Sequence, residues 1–120
     1  MRQESDALGA RELPEGALYG IHTLRAAENF PVSGTRLFPE FIKAYALVKA
    51  ACAETNLEIG SLDATKAGAI VAACREIADG GHADQFLVDP YQGGAGTSTN
   101  MNVNEVVANR ALQLLGRAPG

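Results

Sequence analysis

The sequence predicts a mainly α-helical fold in which an irregular N-terminal arm, with possible short strands, precedes about three helices. After residue 39, apolar residues recur at helical spacing in three segments. Before residue 39, apolar residues do not recur at a regular spacing, and residues 1–39 contain three of the five prolines. A chain of 120 residues with 47% hydrophobic and 20% charged side chains is ordinary for one globular domain. We therefore expect a single domain over residues 1–120, with the arm at 1–38 and the helices at 39–120.

The arm has little apolar surface of its own, so we expect it to lie across the helices. Tyr19, Gly20 and Ile21 are compatible with a short strand. Three polar residues are expected to anchor the arm by hydrogen bonds, namely Arg25, Glu28 and Asn29.

The first predicted helix begins near Pro39 and Glu40, because proline is favoured in the first turn of a helix. It ends near Asn56 or Gly60. Its apolar stripe is expected to face the core and consists of Phe41, Ala44, Tyr45, Val48, Ala51 and Cys52.

The second predicted helix begins at Ser61 or Asp63, either of which can cap a helix N-terminus. Gly80 and Gly81 end it. Its apolar stripe consists of Ala67, Ile70, Val71, Cys74, Ile77 and Ala78.

The third predicted helix begins between Ser98 and Asn102 and ends at Gly116. Asn102 and Glu105 have the spacing of a capping box. Its apolar stripe consists of Val103, Val106, Val107, Ala111, Leu114 and Leu115. Arg110 interrupts this stripe, and we expect its guanidinium to pair with an acidic side chain while its stem covers the core.

Composition excludes several function classes. The net charge is −4 and no Lys/Arg run is present, which argues against a nucleic-acid partner. No apolar run could span a membrane, and the polar first residues lack the apolar segment of a signal peptide. Cys52 and Cys74 lie far apart and outside any C-x-x-C pattern, so we expect two buried thiols in a protein of the reducing cytoplasm.

The glycine-rich loop over residues 92–102 is the segment most suggestive of chemistry. Three glycines allow tight turns and leave backbone N–H groups uncovered. A helix follows, and its first turn offers free N–H donors at the positive end of the helix dipole. Thr97 and Ser98 add hydroxyl donors. The loop therefore predicts a site for a small anion such as a carboxylate or phosphate.

Two other interpretations of this loop remain open from the residues alone. The first is an ordinary glycine turn with helix capping by Ser98, Thr99 or Asn100. The second is a dinucleotide-binding loop, which is disfavoured because the third glycine is missing and Pro90 separates the preceding strand-like residues from the loop. No Gly-Lys-Ser/Thr triplet is present, so the loop is not a P-loop.

The segment Gly-Gly-Ala-Gly-Thr-Ser-Thr-Asn-Met-Asn-Val-Asn-Glu at residues 93–105, continuing to Arg110, resembles the first signature region of the aspartase/fumarase superfamily. The arm segment Tyr-Gly-Ile-His-Thr-Leu-Arg-Ala-Ala-Glu-Asn-Phe at residues 19–30 is similar to the N-terminal segment of the aspartate ammonia-lyase family. Matches also occur at residues 84–86 and 88–89. The resemblance runs in register from about Glu4 to Gly116 and implies the N-terminal domain of such a subunit.

Within the superfamily, the resemblance favours aspartate ammonia-lyase over class II fumarase. Fumarases typically have serine at the position of Ala95 and glutamine at that of Ser98, and their arm differs from residues 20–25. Pro90 departs from the aliphatic residue expected in the family.

The resemblance implies anti elimination of ammonia from L-aspartate to give fumarate, without a metal or other cofactor. The dianionic, enolate-like carboxylate that forms needs hydrogen-bond donors aimed at it. Carried over by motif, Thr97 is the first candidate to bind the β-carboxylate or the amino group of the substrate, and Ser98 is the second. The residues expected to shape the loop are Gly94, Gly96, Thr99, Asn100 and Asn102.

The resemblance also implies what this chain lacks. The general base and the other site segments of the family are expected downstream, so no catalytic residue is assigned within the chain. Family members are homotetramers held by a long central helical bundle, which is absent here, and their sites combine three subunits. We therefore expect the isolated chain to be inactive. The alternatives are a class II fumarase-like lyase and a non-catalytic helical assembly module.

Single residues outside the loop are assigned structural roles. His22 and His82 could each act as a base, but no orienting partner is placed beside either one by the sequence. Asp89 precedes a proline, which is typical of a turn, and the resemblance makes it a candidate brace for the loop.

Overall fold

The computed structural model describes residues 1–120 and contains a two-stranded sheet and four helices. The elements are β1 (Arg2–Asp6), β2 (Gly9–Leu13), α1 (Ile21–Asn29), α2 (Pro39–Glu58), α3 (Ala64–Ala78), a 3₁₀ turn (Ala83–Gln85) and α4 (Thr97–Leu114). The prediction of a mainly α-helical fold is confirmed. No helix is both long enough and apolar enough to cross a membrane.

The arm is more regular than predicted. β1 and β2 form an antiparallel hairpin in which Arg2 pairs with Leu13 and Asp6 pairs with Gly9. The Asp6 carboxylate accepts a hydrogen bond from Leu8 N at 2.9 Å, which stabilises the turn. The strand suggested at 19–21 does not form, because Ile21 begins α1.

α1 is stabilised by side chains that are distant in the sequence. Its N-cap residue, Gly20, offers no side chain to cap the helix. Instead Glu4 Oε2 of β1 accepts from Ile21 N at 2.9 Å, and Glu105 Oε1 of α4 accepts from Thr23 N at 3.0 Å. Two of the free N–H groups of the first turn are thereby paired by tertiary contacts, which local sequence patterns do not reveal.

The core lies where α3 packs against both α2 and α4. Alanines at the centre, including Ala46 of α2 and Ala73 of α3, are completely buried and allow the helices to approach closely. Of the predicted apolar stripe of α3, Ala67, Cys74 and Ile77 are buried and the other three residues are partly buried. Val103 and Val106 are the completely buried apolar residues of α4.

The face of α2 that is buried is not the one predicted from the sequence. Ile42, Ala46 and Ala53 are buried, whereas Phe41 and Val48 of the predicted stripe are 47% and 58% exposed. α2 is apolar on more than one side, and the alanine side is the one that fits closely against α3. Two buried thiols were predicted, but only Cys74 is buried, and Cys52 lies on the exposed side of α2. Burial raises the pKa of the Cys74 thiol to about 11.

The helix boundaries support some of the predicted caps. Asp63 caps α3 by accepting from Lys66 N at 2.9 Å. α4 begins at Thr97, slightly before the predicted range, with Gly96 at the N-cap. The proposed capping box of Asn102 and Glu105 is therefore wrong, because both residues lie inside α4.

Candidate functional site

The glycine-rich loop takes a left-handed path immediately before α4. Gly94, Ala95 and Gly96 have φ angles of +89°, +56° and +84°. Such angles favour glycine, and Ala95 adopts one despite its side chain. A Cβ at Gly93 would lie 3.4 Å from the ring of Phe30, so the loop also approaches the arm closely there. The three left-handed residues turn the chain abruptly into the first turn of α4.

The first turn of α4 has one backbone donor without a partner in the chain. Thr97 N donates to Gly94 O at 3.1 Å, and Asn100 N donates to Gly96 O at 3.2 Å. Thr99 N donates to Gln92 Oε1 at 3.0 Å. The N–H of Ser98 remains available at the positive end of the helix dipole.

The hydroxyl of Thr97 is already engaged as a donor. Thr97 Oγ1 donates to Gly94 O at 2.6 Å, which leaves its oxygen lone pairs as acceptors for a ligand. The side chain is exposed, and that of Ser98 is partly buried.

A cleft of about 400 Å³ lies between the hairpin, α1 and the start of α4. Residues 6–8 of the hairpin turn form one wall. The polar side chains that line the other walls are His22, Arg25 and Asn29 from α1, and Thr97 and Ser98 from α4. The two residues singled out from the sequence for substrate binding therefore face an open, partly polar cavity.

The charged groups beside the cleft are mostly paired with one another. The Arg25 guanidinium donates to the two carboxylate oxygens of Asp6 at 2.8 and 2.9 Å, and to Gly9 O at 3.0 Å. The bonds from Arg25 hold the pKa of Asp6 below its usual value. Arg25 thus anchors the hairpin to α1, and Glu28 does the same by pairing with Arg11, as expected of both. The third expected anchor, Asn29, makes no side-chain hydrogen bond. His22 makes no hydrogen bond to another side chain.

Asp89 fixes the chain just before the glycine-rich loop. It is 5% exposed, and its carboxylate accepts from Ser33 N at 2.7 Å, Gly34 N at 3.0 Å and Tyr91 N at 2.9 Å. Burial raises the pKa of Asp89, but these backbone donors and the Ser33 hydroxyl outweigh it and hold the pKa below its usual value. The base of the loop is therefore tied to the connection between α1 and α2.

The asparagines of the loop motif contact neighbouring elements rather than the cleft. Asn100 Oδ1 accepts from Lys49 Nζ of α2 at 2.7 Å. Asn102 is completely buried, accepts from Leu87 N at 3.0 Å and donates to Gln85 O at 3.0 Å. They join α4 to α2 and to the segment before the loop.

Two residues that matter at this site were not assigned to it from the sequence, where Glu105 was considered only as part of a capping box. Gln92 bonds to Thr99 and to Asp89 O, and Glu105 accepts from both the backbone N and the hydroxyl of Thr23 at 3.0 and 3.1 Å. The partner of Glu105 is far away in the sequence, so only the folded chain brings the two together. The partners of Gln92 are near in the sequence, but a glutamine at this position has no recognised capping pattern.

A second polar cluster lies on the outside of α3 and α4, away from the cleft. Glu76 accepts from Arg110 Nε at 2.6 Å and lies 2.7 Å from His82 Nε2. The acidic partner predicted for Arg110 is therefore present. No group of three or more His, Cys, Asp or Glu side chains is arranged to hold a metal ion.

Comparison with known proteins identifies the family to which this chain belongs. The profile of a family described as Lyase matches residues 9–119. The chain is 52% identical to an aspartate ammonia-lyase of Bacillus sp. and 50% identical to that of Escherichia coli K12, in each case over 100% of the chain and 26% of the relative. It is also 50% identical to a class II fumarate hydratase of Halobacterium salinarum, over 99% of the chain and 25% of the relative.

Solved structures agree with this result. A crystal structure named fumarate lyase:delta crystallin, from Brucella melitensis in native form, matches with a TM-score of 0.98 and 52% identity, over 100% of the chain and 28% of that protein. A class II fumarase from Schistosoma mansoni matches with a TM-score of 0.93 and 36% identity, over 99% of the chain and 25% of that protein. The chain thus spans about a quarter of the length of its relatives. It belongs to the Lyase family, with aspartate ammonia-lyases and class II fumarases among its relatives.

Proposed function

We propose that this chain is the N-terminal domain, residues 1–120, of an aspartate ammonia-lyase that reversibly eliminates ammonia from L-aspartate to give fumarate. Identity of 50–52% to aspartate ammonia-lyases over the whole chain supports this reaction. The observation that carries the role of the chain is the position of Thr97 and Ser98 in the cleft, with the Ser98 N–H unpaired at the start of α4.

The chemistry follows from what these two residues can donate and accept. Removal of the proton beside the β-carboxylate of aspartate places a second negative charge on that carboxylate. The Ser98 N–H and hydroxyl can donate to it, and the helix dipole favours the charge that develops. The Thr97 hydroxyl donates its proton to Gly94 O, so only its oxygen lone pairs remain for the substrate. An acceptor suits the ammonium group of the substrate better than its carboxylate.

The rest of the machinery is proposed to lie outside this chain. No residue at the cleft is a convincing general base, since His22 has no side chain to orient it. We assign the base and the remaining substrate contacts to later segments, some from other subunits of a cytoplasmic homotetramer. The reaction needs no metal or other cofactor in this proposal. The chain alone is therefore expected to have no measurable lyase activity.

The test is to compare Thr97→Ala and Ser98→Ala with Thr65→Ala in the full-length lyase. Thr65 is an exposed threonine in the first turn of α3, so it controls for the loss of a helix-start hydroxyl. Ser98→Ala is expected to lower kcat/KM for L-aspartate by about 100-fold, as for the loss of one donor at a developing charge. Thr97→Ala is expected to lower it by about 10-fold to 100-fold, because the substrate ammonium group loses a hydrogen-bond acceptor. Thr65→Ala should leave it unchanged, and equal effects of the two threonine substitutions would contradict the proposal.

A class II fumarase-like reaction is the second candidate, because the Halobacterium salinarum relative is as similar as several aspartate ammonia-lyases. The two are separated by incubating the full-length protein with fumarate, once with ammonia and once without. Aspartate formed only with ammonia supports the first candidate, whereas malate formed in water alone supports the second. Robust turnover of aspartate by residues 1–120 alone would contradict the division of the site between segments.

A non-catalytic assembly role is favoured by one observation, the exposed apolar side of α2. Phe41, Leu47 and Val48 are 47%, 53% and 58% exposed. Such a surface is typical of a contact with another protein segment. It is also compatible with a lyase subunit, so the kinetic comparison above decides between the two.

A further inference from the structure

The N-terminus of α4 has no capping side chain at the usual position. Its N-cap is Gly96, and no side chain of the N-cap residue accepts a bond from the first turn. The carboxamide of Gln92, four residues earlier, takes this role by accepting from Thr99 N at 3.0 Å. Its Nε2 donates to Thr99 Oγ1 at 2.9 Å, so one glutamine bonds to both the backbone and the hydroxyl of Thr99.

The same amide group also holds the other end of the loop. Gln92 Nε2 donates to Asp89 O at 2.8 Å. The carboxylate of Asp89 is itself fixed by backbone donors from Ser33 and Gly34. Gln92 therefore connects an anchored segment to the first turn of α4 and closes residues 93–98 into a ring.

The residues inside this ring are the ones that need to be held. Gly94, Ala95 and Gly96 all have positive φ, and two of them are glycines with high conformational freedom. The backbone of these residues is otherwise held by the two bonds from Thr97 to Gly94 O and by the bond from Asn100 N to Gly96 O. Thr97 and Ser98 follow directly, so their direction into the cleft depends on how the ring is closed.

We propose that Gln92 is a positioning residue that orients Thr97 and Ser98 toward the substrate by closing the glycine-rich loop from Asp89 to Thr99. This inference rests on the proposed function. Both halves of the amide are needed, because Oε1 must accept from Thr99 N while Nε2 donates to Asp89 O. A glutamate of the same shape keeps the acceptor, loses the donor and brings a negative charge against Asp89 O.

The experiment compares Gln92→Glu and Gln92→Ala with Gln85→Ala in the full-length lyase. Gln85 is the matched control, because its Oε1 accepts a long-range bond from Leu18 N at 2.7 Å outside the loop. The quantities measured are kcat and KM for L-aspartate, the melting temperature, and hydrogen exchange of the amides over residues 93–99.

The Gln92 variants are expected to lose between about 10-fold and 100-fold in kcat/KM, the scale of a misplaced catalytic contact. Amides 93–99 should exchange faster, and the melting temperature should fall no further than in Gln85→Ala, which keeps its kcat/KM. Lowering the pH protonates the new carboxyl of Gln92→Glu, which can then donate to Asp89 O. Its kcat/KM relative to wild type should therefore rise toward acid, while that of Gln92→Ala stays constant.

The inference is overturned if both Gln92 variants keep the wild-type kcat/KM, or if their loss only matches that of Gln85→Ala. Failure of both variants to fold would also overturn it, since Gln92 would then be required for the fold and not for the direction of two side chains. Thr97→Ala separates this failure from that of the proposed function. If Thr97→Ala is impaired and the Gln92 variants are not, only the inference about Gln92 is wrong.

Discussion

Gly20 is required for the close approach of a carboxylate, and not for its backbone angle. Its φ is −117°, which any residue can adopt. A Cβ built at this buried position would lie 1.8 Å from Glu105 Oε2 and 3.0 Å from Glu4 Oε2. Burial raises the pKa of Glu105, although the bonds from Thr23 oppose it. Two acidic side chains thus converge on the start of α1, where the absence of a side chain makes room for them.

Gly20→Ala is expected to destabilise the chain by about 1–3 kcal/mol, because the new methyl displaces Glu105 from Thr23. The measurement is urea unfolding. Gly16→Ala serves as the control, since a Cβ there meets nothing within 4 Å. In a Glu105→Ala background the clash between the new methyl group and the carboxylate is absent, so Gly20→Ala should lower the free energy of unfolding by clearly less. An equal cost in both backgrounds would show that the carboxylate is not the cause.

At the scale of elements, α2 and α3 could be predicted from the sequence because their signals are local. Pro39 at the start of α2 and Asp63 before α3 act within one turn of the helix each begins. α1 could not be predicted in the same way. It is short, its N-cap is a glycine, and its first N–H groups are paired by Glu4 and Glu105, which only the tertiary fold brings near.

The buried face of α2 could not be predicted, because periodicity identifies an apolar side without saying what will cover it. Larger residues such as Phe41 and Val48 gave the stronger pattern, but the face with Ala46 and Ala53 is the one against α3. Small side chains let two helices approach closely, and close packing decides which side is buried. Within this chain, the larger residues remain exposed.

The candidate site, too, could be predicted from the sequence only where its signals are local. The glycines and hydroxyls of residues 93–99 lie next to one another in the sequence, so the loop could be identified from its pattern and its family resemblance. The cleft in front of it could not, because its other wall comes from the hairpin and α1. Gln92 was missed for a related reason. A glutamine has no intrinsic turn or cap signal, and its role appears only in its bonds to Thr99 and Asp89 O.

At the scale of the whole molecule, the arm is joined to the helical part by several polar contacts. Asn109 of α4 donates to Leu18 O at 2.7 Å, and Gln85 accepts from Leu18 N at 2.7 Å. Within the arm itself, Arg2 of β1 donates to Ala17 O at 2.8 Å and to Tyr19 O at 3.1 Å. These bonds hold the chain before α1 in place, and α1 forms one wall of the cleft. Because several independent bonds hold this segment, we expect the loss of any one of them, such as that from Gln85, to leave α1 in place.

The stability of the whole molecule should depend on pH through Glu76, which links α3 to α4. The bonds from Arg110, and then from His82, lower the pKa of Glu76 to about 2. An unfolded glutamate titrates near pH 4.3. Because the folded pKa is the lower one, the contribution of Glu76 is fully present above the unfolded pKa and is lost as pH falls from about 4.3 through about 2.

Glu76→Gln is therefore expected to destabilise the chain at pH 7 and to converge with wild type at pH 2. The difference at pH 7 should be about 1 kcal/mol, because the carboxylate is 35% exposed and solvent screens the pair. Urea unfolding at several pH values between 7 and 2 measures it. Glu54→Gln is the control, since Glu54 meets Arg75 only at 4.0 Å with both side chains mostly exposed, and it should change stability little at any pH. A difference for Glu76→Gln that stays constant down to pH 2 would mean that its charge does not hold α3 to α4, and that the loss comes from packing of the side chain alone.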